Sequence, residues 1–259
     1  MKRLLTLLSH TLMIGLLLFA PFSHSASSIM IWPIDPVLED KDKSTMIWLE
    51  NNYTESVYVQ VRILGWQQQN DQDTYSEQND ISISPPFAQI QPGKRQLIRL
   101  IKNSAIPEGT EKAYRILIDE IPQTSTEKEQ ANQVGVQFAM RYSIPLFSSG
   151  KSIWTKQDYN NPRDLTQATA PQLTFKVVKE KGKKWLEVTN TGVVHARISG
   201  LRTVSSTRST MVGDGLVGYV LANSRMRLLI PANAPISNGS HIEAMINHNQ
   251  QPVVIKPAK

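Results

Sequence analysis

Apolar and polar residues alternate with a period of two along much of the chain. In Ser56-Val-Tyr-Val-Gln-Val-Arg-Ile63, Val57, Val59, Val61 and Ile63 fall on one face, and Tyr58, Gln60 and Arg62 on the other. That is what a half-buried strand requires. The same pattern predicts strands over 45–49, 96–101, 114–118, 134–144, 173–178, 185–188 and 226–230. Turn formers separate them: Asn51-Asn52, Pro85-Pro86, Pro92-Gly93, Asn190-Thr-Gly192 and Asn238-Gly239. The stretch 110–120 also carries Ala113, Ile116, Leu117 and Glu120 at helical spacing. The alternation of Tyr114, Ile116 and Ile118, with the stop at Ile121-Pro122, favours a strand.

Many short strands between Pro, Gly and Asn predict an all-β fold of sandwiches. Residues 148–170 lose the alternation and hold Gly150 and Asn160-Asn161-Pro162. They divide the chain into a first β-domain over 27–147, a join over 148–170 and a second β-domain over 171–259. Each β-domain is about the size of an immunoglobulin-like sandwich.

The N-terminus stands apart. Met1-Lys2-Arg3 precedes a mostly apolar run from Leu4 to Phe22, and small residues come next at Ser23, Ser25 and Ala26. This is the order of a secretory signal peptide over 1–26, cleaved after Ser25 or Ala26. Pro21 and the polar interruptions argue against a permanent membrane helix. Its removal takes Lys2 and Arg3 from 28 basic residues, leaving 26 against 22 acidic, a balance of +4. So mild an excess does not indicate nucleic-acid binding. The basic cluster Lys179-Glu-Lys-Gly-Lys-Lys184 reads as a solvated hairpin turn at Gly182. The mature chain is expected to be exported and not inserted in the membrane. With no Cys it folds without disulfides.

Little chemistry is encoded. Gly213-Asp-Gly-Leu-Val-Gly218 matches a dinucleotide fingerprint, but the residues after Gly218 lead into a strand and Pro231 instead of a helix. Ser149-Gly-Lys-Ser152 has Pro145 where a phosphate loop needs its first Gly. His195, His241 and His248 show no metal-ligand spacing, although His241 and His248 could sit on neighbouring strands of a hairpin. No Ser occupies a nucleophile elbow, and Asp119 and Glu120 point to opposite faces of a strand. The chain reads as a non-enzyme without cofactor or metal.

One strand is unusual. Val134, Val136, Phe138, Met140, Tyr142 and Ile144 form a long apolar face at the end of the first domain. It is either central in a sheet or an edge offered to a partner. The segments Ser84-Pro-Pro-Phe87, Gln91-Pro-Gly-Lys94, Leu97-Ile-Arg-Leu100, Tyr114-Arg-Ile-Leu-Ile-Asp-Glu-Ile-Pro122 and Met140-Arg-Tyr-Ser-Ile-Pro-Leu-Phe147 occur in that order. In this the chain resembles the PapD-like periplasmic chaperones of chaperone-usher pilus systems. The last segment looks most like the archaic branch.

The resemblance implies two immunoglobulin-like domains in a boomerang, and a strand over 134–144 lent to a pilin that lacks one. Val136, Phe138 and Met140 are best placed to enter the pilin groove, with Val134 as a fourth. Delivery to an outer-membrane usher is also implied. Many members of the family hold the pilin C-terminal carboxylate with an Arg and a Lys, but this chain has Asp35 and Pro145 at those places. The nearest substitutes are Arg141, Arg115 and Arg99. An apolar edge also predicts self-association, or a covered edge, in the free protein. The competing reading is an exported β-sandwich module that binds a glycan or another extracellular ligand.

Overall fold

The computed structural model describes residues 29–122, 139–158, 160–205, 208–249 and 251–258. The expected signal segment lies outside them, as do Val134, Val136 and Phe138 of the expected lent strand.

Two sheets close over the first core. One has the order β1 (Ile29–Trp32), β3 (Ser44–Asn51), β8 (Arg95–Lys102), β6 (Ile81–Ser84). The other runs β2 (Val37–Leu38), β10 (Arg141–Ser149), β9 (Glu111–Ile121), β4 (Val57–Gln69), β5 (Gln72–Ser76), with β7 (Phe87–Ile90) also paired to β4. Alternation decides what each sheet buries. Ile47, Leu49, Ile98 and Leu100 come from the first sheet, and Val59, Val61, Ile116, Ile118 and Leu146 from the second, into one cluster. The stretch 110–120 is a strand, as its alternation predicts, and contributes Tyr114, Ile116 and Ile118 to that cluster.

The second core lies against a seven-stranded sheet. Its order is β14 (Ser209–Val220), β13 (Ala196–Val204), β16 (His241–Ile246), β17 (Val253–Pro257), β11 (Leu173–Glu180), β12 (Lys183–Asn190), β15 (Ser224–Ile230). Phe175, Leu186, Val188, Ile198, Ile242 and Ile255 fill it. The basic cluster is the β11–β12 hairpin turn, with Lys181 and Gly182 both at positive φ, as a two-residue primed turn requires. The dinucleotide-like glycines lie within β14, which is bulged against β13. At Gly218 a Cβ would meet Leu228 Cδ2 at 2.5 Å, so that glycine serves strand packing. Gly150 is likewise steric, because a Cβ there would lie 2.1 Å from the Pro107 carbonyl oxygen.

Between the sandwiches, the segment after β10 is pinned to the first. Arg163 donates twice to Glu39, at 2.7 and 2.9 Å, and lies over the Trp154 ring at 4.4 Å.

Each sandwich is plugged by an asparagine where a strand turns out. The Asn51 amide donates to the carbonyls of Glu55 and Ile90, both at 2.8 Å, and its Oδ1 accepts from Tyr53 N–H. Asn190 does the same in the second, donating to Val194 and Leu221 carbonyls and accepting from the N–H groups of Gln172 and Gly192. Both are fully buried. Replacing Asn51 by Ala strands the buried Ile90 carbonyl and removes the partner of the part-buried Glu55 carbonyl, so Asn51→Ala is expected to lower the unfolding free energy by about 1–3 kcal/mol in urea titration. A loss below about 0.5 kcal/mol, the range of an ordinary surface substitution, would show that water serves those carbonyls equally well.

Candidate functional site

β10 carries one apolar face from inside the first core to its rim. Leu146 and Ile144 are buried, Tyr142 is half-buried against the same cluster, and Met140, just before the strand, is 47% exposed. Backbone pairing continues past the strand end: Glu120 N–H donates to the Met140 carbonyl at 2.9 Å, and Met140 N–H donates to Glu120 Oε2 at 3.2 Å. Met140 is therefore held in register while its side chain is free.

The strand end differs from the sequence expectation. The strand continues to Ser149 instead of ending at Ile144, because Pro145 is accommodated opposite Arg115 and the pairing with β9 runs on to Glu111. Of the residues read as the lent face, Ile144 lies in the buried cluster of the first sandwich and Tyr142 is half-buried against it. Period two puts them on the same face as Met140, and the sandwich closes over that face up to Tyr142.

Polar groups fix the exit. Tyr142 Oη donates to Glu120 Oε1 at 3.1 Å and accepts from Ile29 N–H at 3.3 Å, and Tyr53 Oη also donates to Glu120. Burial pushes the Tyr142 phenol up to about 12, with the Glu120 carboxylate adding to the effect. On the opposite face, Asp119 receives Arg141 Nε and, at 2.7 Å, Arg62. Burial raises the Asp119 carboxyl, yet the two guanidinium groups outweigh it and hold the group below the ordinary range. Asp119 and Glu120 thus serve opposite faces.

The three arginines named from the sequence separate. Arg115 and Arg141 line one cleft of about 720 Å³ between the sandwiches, together with Asp35, Tyr142, Pro145 and Tyr219. Arg115 stands directly across from Pro145 in the β9–β10 register. Cationic charge missing at position 145 is therefore present one strand over. Arg99 is not in this cleft. It lies exposed on β8 in the other sheet, paired with Met46 and Ser84.

The junction beside the cleft escaped sequence reasoning. Trp66 lies out of phase with the inward Val57-Val59-Val61-Ile63 set, and packs with Val37, Phe147, Leu221 and Tyr219 across the two sandwiches. Arg115 lies over its ring at 3.7 Å. Gln68 bonds the Tyr219 carbonyl and Leu221 N–H, at 3.0 and 2.8 Å. His195 is buried, stacked on Phe147 at 3.3 Å between centroids, with Nδ1 2.9 Å from Glu111 Oε1. The other two histidines are not hairpin partners: His241 approaches Glu243, and His248 approaches Asp35. Among the described residues no group of three potential metal ligands converges, and no helix is long and apolar enough to cross a membrane.

Residues 31–153 match the family described as pili and flagellar-assembly chaperone, PapD N-terminal domain. Among solved structures, the chain is similar to the archaic CsuC chaperone in the CsuC–CsuE chaperone–tip adhesion subunit pre-assembly complex from Csu pili of Acinetobacter baumannii. That match has 33% identity and a TM-score of 0.69, and covers 90% of this chain and 100% of that one. The YadV chaperone (17% identity, TM-score 0.58, covering 87% and 96%) and the Pseudomonas aeruginosa CupB2 chaperone (14%, 0.57, covering 88% and 100%) share the fold. No curated protein sequence matches the chain. The chain belongs to the PapD-like pilus chaperone family, with two immunoglobulin-like sandwiches. Nothing in these comparisons supports the glycan-binding alternative.

The Tyr142 environment gives a pH test. A phenol whose folded value lies above its ordinary 10.0 favours folding fully below that pH, and the contribution disappears as pH rises through about 12. Wild-type stability, followed by thermal melting from pH 9.5 to 12, is therefore expected to fall more steeply than that of Tyr142→Phe. Parallel slopes would contradict the assignment.

Proposed function

We propose that the chain is a periplasmic chaperone that receives pilin subunits by lending them the segment 134–140 that leads into β10. It caps them there and passes them to an outer-membrane usher. The observation that carries this reading is the single apolar face of β10, buried at Ile144 and exposed at Met140. A partner sandwich lacking one strand would continue the face outward. Added-strand main-chain bonds give affinity, and alternate side chains entering pockets give selectivity.

Energies fit the role. Val134, Val136, Phe138 and Met140 at about 1.5–3 kcal/mol each amount to roughly 6–12 kcal/mol of gross burial. That is comparable to the whole stability of a domain, so a pilin deprived of its strand depends on the loan. Release to a better-fitting strand at the usher needs no nucleotide. Tyr142 and Ile144 stay at home and keep the lent segment joined to a folded sheet. Arg115 and Arg141 are the basic groups set to meet the pilin C-terminal carboxylate. Arg99, on the other sheet, is not.

The family to which the chain belongs consists of periplasmic chaperones, and a cleaved 1–26 signal would bring this one to the same compartment. In this reading 27–147 is the lending sandwich, 148–170 the join and 171–259 the second sandwich that forms the cleft.

Co-expression with pilins of the same assembly system tests the reading. Wild type should co-purify with a small pilin. Phe138→Arg or Met140→Arg should lower its recovery at least about tenfold, since a charge cannot enter an apolar pocket unpaired, while Met140→Arg leaves the melting temperature unchanged. Pilin recovered at the wild-type level from both variants would defeat strand lending.

A further inference from the structure

β9 can hold β10 only as far as Glu120. Alternate residues of β9 turn their backbone N–H groups toward β10, and Glu120 is the last of them, because Pro122 two positions on has no N–H to give. Met140 stands opposite Glu120, one step beyond the Arg141–Asp119 pair that begins the register. An antiparallel pair of this kind exchanges two bonds between its backbones. Here the Glu120 N–H donates to the Met140 carbonyl at 2.9 Å, but the return bond is diverted. The Met140 N–H donates to the Glu120 carboxylate, 3.2 Å from Oε2.

That carboxylate is firmly held. Its Oε1 accepts from Tyr142 Oη at 3.1 Å and from Tyr53 Oη at 3.2 Å, and Tyr53 Oη also lies 3.4 Å from Oε2. Each phenol is fixed in its turn. Tyr142 Oη accepts from Ile29 N–H of β1 at 3.3 Å, and the Tyr53 N–H is bound at 2.8 Å by Oδ1 of the buried Asn51. Both rings pack against the first core. One carboxylate therefore ties Met140, the exposed end of this face, to β1 and to the loop after β3, which belong to the opposite sheet of the sandwich. The neighbouring Asp119 cannot take this role, because it faces the other way and receives Arg141 and Arg62.

We infer that Glu120 is a positioning residue for strand lending, its carboxylate clamping the Met140 amide so that the face of β10 is presented extended and in phase. This rests on the chaperone reading above and names the group that prepares the strand for its partner. Hydrogen bonds to an ionised acceptor are about twice as strong as neutral ones, so the clamp opposes fraying at the place where a strand end ordinarily opens first. A frayed Met140 would have to be ordered again as pilin arrives, and the entropy of ordering is subtracted from affinity. Phase matters as much, since a slip of one residue would turn Met140 to the other face. The effect of Glu120 on pilin is exerted through Met140.

Hydrogen exchange on the free full chain tests the clamp without any pilin. Glu120→Ala is expected to lower protection of the Met140 amide about tenfold, the scale of one bond to a charged group. The Ile144 and Leu146 amides, paired with β9 inside the core, should keep their rates. Glu120→Gln retains an acceptor oxygen and should restore most of the protection. Tyr53→Phe leaves the carboxylate in place but removes a donor that holds it, and should lower Met140 protection about threefold even if alanine at 120 disturbs folding.

Pilin capture then reads the consequence. Each variant is co-expressed with differently tagged wild type and a limiting supply of a pilin from the same assembly system. Glu120→Ala should capture about a tenth as much pilin as wild type, and Glu120→Gln should approach the wild-type share. Unchanged Met140 protection in both Glu120→Ala and Tyr53→Phe would overturn the clamp, whatever the pilin does. Reduced protection with undiminished capture would overturn the positioning role and leave the chaperone reading standing. A wild type that captures no pilin would refute the chaperone reading, and the positioning role with it.

Discussion

One strand carries one apolar face, and that face is longer than the core that holds it. Leu146 and Ile144 are sealed, Tyr142 sits at the rim with its hydroxyl bonded to Glu120, and Met140 stands outside with its backbone still in the ladder. A strand whose side chains must alternate cannot redirect that face without a bulge. Beyond Met140 the described residues of this chain offer no core on that phase. In the proposed function that place is filled by another protein's core, and the register inherited from β9 sets which side chains arrive there.

The second constraint is the junction. Trp66, Phe147 and Tyr219 pack across it, Gln68 makes two bonds to the backbone beyond it, and the His195 ring lies flat on Phe147 while its Nδ1 meets Glu111. Phe147 belongs to β10 itself, so the strand that exposes Met140 at one end anchors both sandwiches at the other. Asp71, at the tip of the β4–β5 hairpin, adds ion pairs to Arg225 and Arg227. Both arginines are partly exposed, and the individual worth of the pairs is small. The buried aromatic and amide contacts set the arrangement.

Much of the fold was legible because period two is a strong signal wherever one face of a strand is wet. The sets Val57-Val59-Val61-Ile63 and Tyr114-Ile116-Ile118 announce their buried faces directly, and Gly182 announces its turn. What failed to show was where a face changes owner. Ile144 and Met140 look identical in pattern, yet only packing from both sheets separates the sealed residue from the free one. Arg99, Arg115 and Arg141 look alike in the same way, because sequence gives the phase of each residue but not which sheet its strand joins. Trp66 did carry a readable clue, an aromatic on the wet phase of a core strand. Asn51 and Asn190 read only as turn formers, although each plugs its sandwich with bonds that sequence spacing cannot reveal.

The central claim is that residues 134–140 are the part of this chain that pairs with pilin. Amide hydrogen exchange of the chaperone alone and in its co-purified complex measures that pairing residue by residue. Protection of the 134–140 amides should rise by about two orders of magnitude or more in the complex, as new ladder bonds demand. Unchanged exchange over 134–140, with protection appearing on another surface, would contradict the account.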